Sequence, residues 1–402
     1  MVKKSYRKLK VAKDLKRMMN AYYAKIKITS RLHPVAWVSS GAPVEILIAL
    51  GVLPLYPENY GAILGAQRVA VPLIEESEAR GYSSDLCSYA TGHLGSVFAP
   101  DKAPMNGLPK PDLLVASNNI CGTVVKWYEA LADHFNVPLF MLDTPYMHGP
   151  EIEDHAVGYV AAQIEAFIAW AEKQTDRRLR QKKFMQTLEL SNQAVELWRE
   201  IGELCVHRPS PLNAPDRFTQ MAPIVVLRGT KQCVDFFRKL KAEVEERIEQ
   251  GLGAVPDERH RLLWDNIAIW PGLFRFYHLF SQAGACFVCD TYTRAWSMSV
   301  QIDEPIEGLA RAYTSVYINM SVQARARMMA DMAKRFQVDG AVLHANRSCK
   351  PYSLGQHDSR LALMAEASVP TVILEADMCD TRAYAEGAIK TRVEAFLEML
   401  AG

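Results

Sequence analysis

Short apolar runs that break off into polar turns, each followed by a helical segment, recur through this chain and leave few folds open to it. The run Gly340 to Ala345 in GAVLHANRSCKPY gives way to a turn holding Cys349 between Arg347 and Lys350. The run Asp112 to Ala116 ends the same way in SNNIC, with Cys121 at the mouth of a helix that carries Lys126, Trp127 and Tyr128. In an open parallel sheet, ligands gather at the carboxyl ends of the strands, and a thiol placed there beside fixed cations is readily held as thiolate. Two such thiols suggest a shared ligand.

The alternation is regular. From Pro34 the order is a strand (VAWVSS), a helix from about Pro43 to Leu50, and a short strand (LPLYPEN) ending in Glu58. A helix over 61–81 stops at Gly81, and YSSDLCSY places Cys87 in the first turn of another. A loop over 100–111 precedes the strand at Asp112, a helix to about Phe135, and the strand VPLFMLD closing on Asp143. This pattern predicts a doubly wound α/β domain over 31–150. Residues 151–221 form a helical linker region, rich in Ala, Glu, Gln, Lys and Leu over its first part. A second α/β domain spans 222–402, through PIVVLRG, a charged helix (Gln232 to Gly251), IAIWPG, GACFVCD, GAVLHAN, PTVILEAD and a last helix from about Thr381 to Ala401. Residues 1–30 read as a basic N-terminal helix, with ten Lys or Arg between 2 and 27 and Leu9, Leu15, Met18, Met19, Tyr22 and Tyr23 at helical spacing. The expected fold is therefore two Rossmann-like parallel-sheet domains with a helical connection.

Composition narrows the function. A chain of 402 residues with 49% apolar content holds enough material for two cores. Its net charge of +1 supplies no field for nucleic acid or an anionic membrane, so neither is expected as a partner. Eight dispersed cysteines without a secretory signal pattern point to a reducing, cytoplasmic setting. The most apolar stretch, Ala42 to Tyr56, is broken by Pro43, Glu45, Gly51 and Pro54 and is too short to cross a bilayer.

Nucleotide signatures are absent: GAILGA and GLGA satisfy neither the P-loop nor the dinucleotide fingerprint. Cys286 and Cys289 form a C-x-x-C, but within a strand their odd separation turns them to opposite faces. They are expected in the core. Ser39 and Ser40 stand at a helix entrance, where N-capping is the simple role, and Glu58 is a candidate proton-transfer group. For the cysteines at polar turns two chemistries remain open. One is a Cys–His nucleophile, pairing His344 with Cys349 or His93 with Cys87; the other is iron–sulfur ligation by thiolates from separated loops.

The motifs SSDLCSY, SNNICGTVVKWYE, VPLFMLDTPY, YPENYGA and NRSCKPYS resemble the benzoyl-CoA reductase / 2-hydroxyacyl-CoA dehydratase family, whose order they follow across nearly the whole chain. The resemblance implies a [4Fe–4S] cluster between the two domains, held by Cys87, Cys121 and Cys349, with one iron open to a non-protein ligand. It also implies an acyl-CoA substrate, a related iron–sulfur sister subunit, and a separate ATP-hydrolysing iron–sulfur activator that delivers single low-potential electrons. By motif position, Ser40 and Glu58 match the serine and glutamate that assist at the thioester and hydroxyl in the dehydratases.

Three segments, YPENYGAILGA, YSLGQ and LEADMCDTR, look more like the aromatic-ring reductase branch. The leading expectation is thus the cluster-carrying subunit of an ATP-dependent benzoyl-CoA-type reductase. The alternatives are a subunit of an (R)-2-hydroxyacyl-CoA dehydratase working through a ketyl radical, a non-catalytic electron-relay subunit, and a binding protein without a cluster. A thioester carbonyl accepts one electron more readily than a carboxylate does, because no negative charge opposes it, and hydrogen bonds stabilise the resulting radical anion.

Overall fold

Strands buried along their whole length need helices on both faces of the sheet, and the sequence supplies them. The computed structural model describes residues 8–402; Lys3, Lys4 and Arg7 of the basic segment lie outside the described residues. After α1 (Ala12–Thr29) come β1 (Val35–Val38), α2 (Val44–Leu50), β2 (Leu53–Leu55), α3 (Pro57–Ala66), α4 (Ala70–Glu78), α5 (Ser88–Phe98), β3 (Leu113–Ser117), α6 (Gly122–Phe135) and β4 (Leu139–Leu142). The four strands are parallel, in the order β2-β1-β3-β4, with Val38 opposite Val115 and Ser117 opposite Leu142. Two long helices, α7 (Asp154–Thr175) and α8 (Gln181–Glu203), follow, then α9 (Ala214–Gln220), α10 (Ala222–Val226) and α11 (Lys231–Glu249).

The second sheet repeats the first. Its elements are β5 (His260–Asp265), α12 (Leu273–Ser281), β6 (Ala285–Asp290), α13 (Thr291–Arg294), α14 (Pro305–Thr314), α15 (Val322–Arg335), β7 (Gly340–Asn346), α16 (Lys350–Ser353), α17 (Gln356–Ala367), β8 (Thr371–Ala376) and α18 (Glu386–Ala401). The order β6-β5-β7-β8 is again parallel, so the strand order reverses beside β1 in one sheet and beside β5 in the other. Crevices form at such reversals, at the carboxyl ends. Cys121 follows β3 and Cys349 follows β7, which are equivalent strands.

Several expected boundaries move. PIVVLRG is not a strand: Pro223 lies in the first turn of the short helix α10, whose apolar run is buried and so carries no readable period. IAIWPG is the turn after β5, and β5 itself is HRLLWD. That strand hides in the sequence because it opens on two basic residues. Arg261 is nevertheless fully buried, its guanidinium donating to the carbonyls of Cys205 and Phe336 and to Glu258. The strand of LPLYPEN stops at Leu55, and Pro57 opens α3, which puts Glu58 in a helix's first turn rather than at a strand end. The helix read over 61–81 is two helices, broken between Ala66 and Ala70, and the last helix begins at Glu386 after a tight turn at Thr381–Ala383. The helical linker region does more than connect: α7 packs on β4 and α14, and α8 packs on α2 and α11.

Helix α1 bridges both halves. Tyr22 donates to the Pro54 carbonyl of β2, while Tyr23 accepts from Asn59 on α3. At its other end the Glu243 carboxylate, on α11, accepts the amides of Lys10 (2.6 Å) and Val11 (3.0 Å) and so satisfies donors that the helix start leaves open. Replacing that carboxylate leaves two amides without an acceptor. Glu243→Ala is expected to cost about 1–3 kcal/mol and to speed amide exchange over residues 8–29 while leaving the second sheet's protection unchanged.

Candidate functional site

The carboxyl ends of the two sheets face one cavity of about 870 Å³. Its walls are largely apolar and aromatic, from α1 (Leu15, Met19), α3 (Ile63), α6 (Trp127) and the second half (Phe218, Trp270, Tyr292, Trp296). Exposed Lys8 and Lys16 stand on its rim. Among the described residues its lining contains no arginine. Lys126 pairs with Glu129 on the outer face of α6 and does not line the cavity, so a role for it in holding an anionic group is not supported.

Cys87, Cys121 and Cys349 all open on this cavity. Each is the N-cap of a helix, of α5, α6 and α16 respectively. An N-cap side chain normally accepts from the amides two and three residues on, a task that oxygen performs best. Here sulfur stands at that position, and none of the three closes a cap hydrogen bond. The amides of Tyr89 and Ala90 are directed at Cys87, those of Thr123 and Val124 at Cys121, and that of Tyr352 at Cys349, where Pro351 has no amide to give. Burial nevertheless pushes the metal-free thiols up, Cys349 to about 12, and the three oppose one another's ionisation: Cys349 and Cys121 act on Cys87, and Cys121 on Cys349. The first-turn amides pull the other way, toward thiolate.

The remaining cysteines behave differently. All five are buried, and four donate to carbonyls: Cys205 to Ile201, Cys233 to Pro223, Cys286 to Leu212 and Cys379 to Gly61. Cys286 and Cys289 are core residues of β6. The Cys–His alternative finds no support. His344 turns Nδ1 to the Ile267 carbonyl at 2.7 Å, and His93 lies among the rings of Trp37, Tyr60 and Trp127, its nitrogens unpartnered among the described residues.

The donor set suits a multi-iron group. A single tetrahedral ion draws sulfur ligands to within about 4 Å of one another, and no three His, Cys, Asp or Glu among the described residues converge that way. An iron–sulfur cluster instead binds each thiolate at a different iron, and three thiols opening on one cavity are the ligand type it takes.

Ser40 and Glu58, eighteen residues apart, meet at the same wall. The Ser40 amide donates to Glu58 Oε1 at 2.9 Å, its hydroxyl also bonds the carboxyl, and Tyr128 donates to Oε2 at 3.3 Å. Glu58 keeps some accessible surface where it opens on the cavity, and protein packs around the rest of its carboxyl. Desolvation therefore dominates over these donors and lifts its pKa to about 7. Its charge in turn raises the Cys121 thiol, which places the acid pair beside the thiols. Ser39 is structural: it is fully buried and accepts the Ser117 amide, tying β1 to β3.

Some residues of the site carry no role that sequence reasoning assigns. Asn119, buried in the SNNIC turn, donates to the carbonyls of Gly41 (2.9 Å) and Tyr313 (2.6 Å) and so fixes the Ser40 turn to the Cys121 turn and to the second half. A Cβ at Gly41 would overlap the Asn119 side chain, which is why that position holds glycine. Tyr128, the partner of Glu58, stands beside Trp127 on α6. Adjacency to the cysteines is the one signal in the sequence for either.

The chain matches the family model described as "2-hydroxyglutaryl-CoA dehydratase, D-component" over residues 39–400. It is 31% identical over 381 residues to the alpha chain of the lactoyl-CoA dehydratase of Anaerotignum propionicum, covering 91% of this chain and 90% of that one. It is 30% identical to the alpha chain of the (R)-phenyllactyl-CoA dehydratase of Clostridium sporogenes (93% and 91%) and 25% identical to a subunit of the benzoyl-CoA reductase of Thauera aromatica (89% and 86%). The fold and site thus define a two-sheet α/β protein of the acyl-CoA dehydratase and reductase group. The chain belongs to the 2-hydroxyglutaryl-CoA dehydratase D-component family.

The reductase branch is the less favoured of the two expectations. The segments that suggested it hold packing contacts: a Cβ on Gly61 would meet Tyr89 at 2.9 Å, one on Gly65 would meet Cys379 Sγ at 2.6 Å, and Gly355 takes a φ of +83° against Val322. No helix of the described residues is long and apolar enough to cross a membrane.

The raised Glu58 pKa has a measurable sign. The folded state holds this proton more tightly than the unfolded chain, so the contribution to stability is full below the ordinary value of 4.5 and is lost as pH rises through about 7. Urea melts of the metal-free protein are expected to lose roughly 3 kcal/mol across that window. In Glu58→Gln this slope should be absent.

Proposed function

We propose that this chain is the [4Fe–4S]-carrying, substrate-binding subunit of an (R)-2-hydroxyacyl-CoA dehydratase. Cys87, Cys121 and Cys349 would hold the cluster. One observation carries the reading: three N-cap thiols and the Ser40–Glu58 pair open on one largely apolar cavity at the carboxyl ends of both sheets. Bound there, the cluster would supply low-potential one-electron chemistry to a thioester, and the net change of the proposed reaction is loss of water across the α and β carbons.

The protein residues do the rest. The Ser40 hydroxyl donates to the thioester carbonyl as negative charge grows there. Glu58, poised near neutrality, gives its proton to the departing α-hydroxyl, which leaves as water, and the resulting carboxylate takes up the β-proton, so that Glu58 ends the turnover protonated again. The apolar walls keep bulk water away and strengthen both hydrogen bonds. With no arginine among the described lining residues, the acyl chain that fits is apolar rather than carboxylated. Lys8 and Lys16 on the rim suit the phosphates of CoA. The relatives, themselves named as single subunits of larger enzymes, support a sister subunit, and the absence of a P-loop supports a separate ATP-hydrolysing activator.

Anoxic turnover with a co-expressed sister subunit and activator, ATP and a strong reductant, read by mass spectrometry, tests this. Loss of water from an apolar (R)-2-hydroxyacyl-CoA is expected, with much slower reaction of 2-hydroxyglutaryl-CoA. Gain of two hydrogens on benzoyl-CoA would establish the reductase instead. Glu58→Gln should slow turnover by about 100-fold or more, whereas unchanged turnover would leave only the electron-relay role. Iron should be lost in Cys87→Ser, Cys121→Ser and Cys349→Ser and retained in Cys286→Ser.

A further inference from the structure

Two of the three thiols come from the first half of the chain and one from the second, so something must fix the halves against each other within a fraction of an ångström. Asp377, just past the end of β8, stands at that junction and is buried. Its Oδ1 accepts the Ser88 hydroxyl at 2.7 Å and the amides of Cys379 and Asp380, both at 2.8 Å. Its Oδ2 accepts the Ser348 amide at 3.1 Å. The Ser348 hydroxyl in turn accepts the Ser88 amide at 3.1 Å and donates to the Ser88 hydroxyl at 3.2 Å.

Ser88 directly follows Cys87, and Ser348 directly precedes Cys349. The bonds therefore run from the residue beside one thiol, through a single carboxylate, to the residue beside another across 260 positions of chain. Four hydrogen-bond donors converge on this one buried carboxylate. No cation pairs with it among the described residues, and it lies close enough to act on the Cys349 thiol.

We infer that Asp377, with Ser88 and Ser348, is a positioning clasp that sets the Cys87–Cys349 separation and, as a fixed negative charge, holds the potential of the group bound there low. An electron added next to a buried carboxylate is opposed by it, and a low potential is what reduction of a thioester requires. The clasp acts through Cys87 and Cys349 and touches no substrate. It rests on the cluster reading above, so its test includes a metal-free arm.

In metal-free protein, hydrogen exchange at the amides of Ser88, Ser348 and Cys379 reports the clasp without any cluster. Asp377→Asn should speed exchange at all three, while amides of β1 and β5 keep their protection. In cluster-loaded protein, Asp377→Asn should move the midpoint potential, followed by EPR, to less negative values. Release of iron to a chelator should accelerate by about tenfold or more, the usual consequence of losing a group that orients metal ligands. Ser348→Ala and Ser88→Ala keep the charge, so they should accelerate iron release with a smaller change in potential, and they serve if Asp377→Asn fails to fold. Exchange unchanged in every variant would overturn the clasp. A potential unchanged in loaded Asp377→Asn would overturn its electrostatic half. A wild-type protein that takes up no iron, yet shows the exchange effect, would sink the cluster reading and leave the mechanical clasp standing.

Discussion

A buried polar seam between the two sheets is the constraint on which the rest of this structure depends. Asn119 donates across it to Tyr313, Trp270 donates to the Tyr89 hydroxyl, and the Asp377 carboxylate gathers donors from both sides. Apolar surfaces alone would let the halves slide, because hydrophobic burial has no preferred register. Directional bonds between buried groups do not, since each unmade bond costs about 1–3 kcal/mol. The cavity and its residues inherit their geometry from that register.

Behind the cavity a second buried network reinforces the docking. Tyr313 donates to Glu45 on α2 at 2.7 Å, Arg228 donates to the Tyr313 hydroxyl at 2.8 Å, and Ser191 on α8 donates to the same carboxylate at 2.8 Å. The Arg228 guanidinium also lies 5.6 Å over the ring of Trp296, a wall of the cavity. Charge buried this way contributes more to a unique arrangement than to stability, because desolvation offsets most of the attraction.

The three thiols occupy positions where helix formation favours Ser, Thr, Asp or Asn. Placing cysteine at all three gives up some capping stability, since sulfur is a weak acceptor, but it aims first-turn amides at the sulfurs. A local rule is broken at three turns that open on one cavity, and functional sites are where such departures are expected. The glycines of α3 show the converse. In this chain those glycines let the helix approach Tyr89 and Cys379 closely, a matter of packing.

Apolar runs alternating with helices were enough to establish two parallel α/β halves, because strands buried on both faces need unbroken apolar sequence and crossover helices. The three cysteines stand out because each interrupts such a pattern at a polar turn, and Glu58 because it follows an apolar run. Strand β5 and helix α10 escape such reasoning, since a buried arginine looks exposed in one dimension and a five-residue apolar helix has no visible period. Asn119, Ser88, Ser348 and Asp377 carry no legible role, because their partners lie up to 289 positions away. The amino-acid sequence by itself determined which local elements form and which residues break them. The tertiary structure alone decided which breaks meet, because register between two sheets is set by long-range bonds that no local pattern encodes.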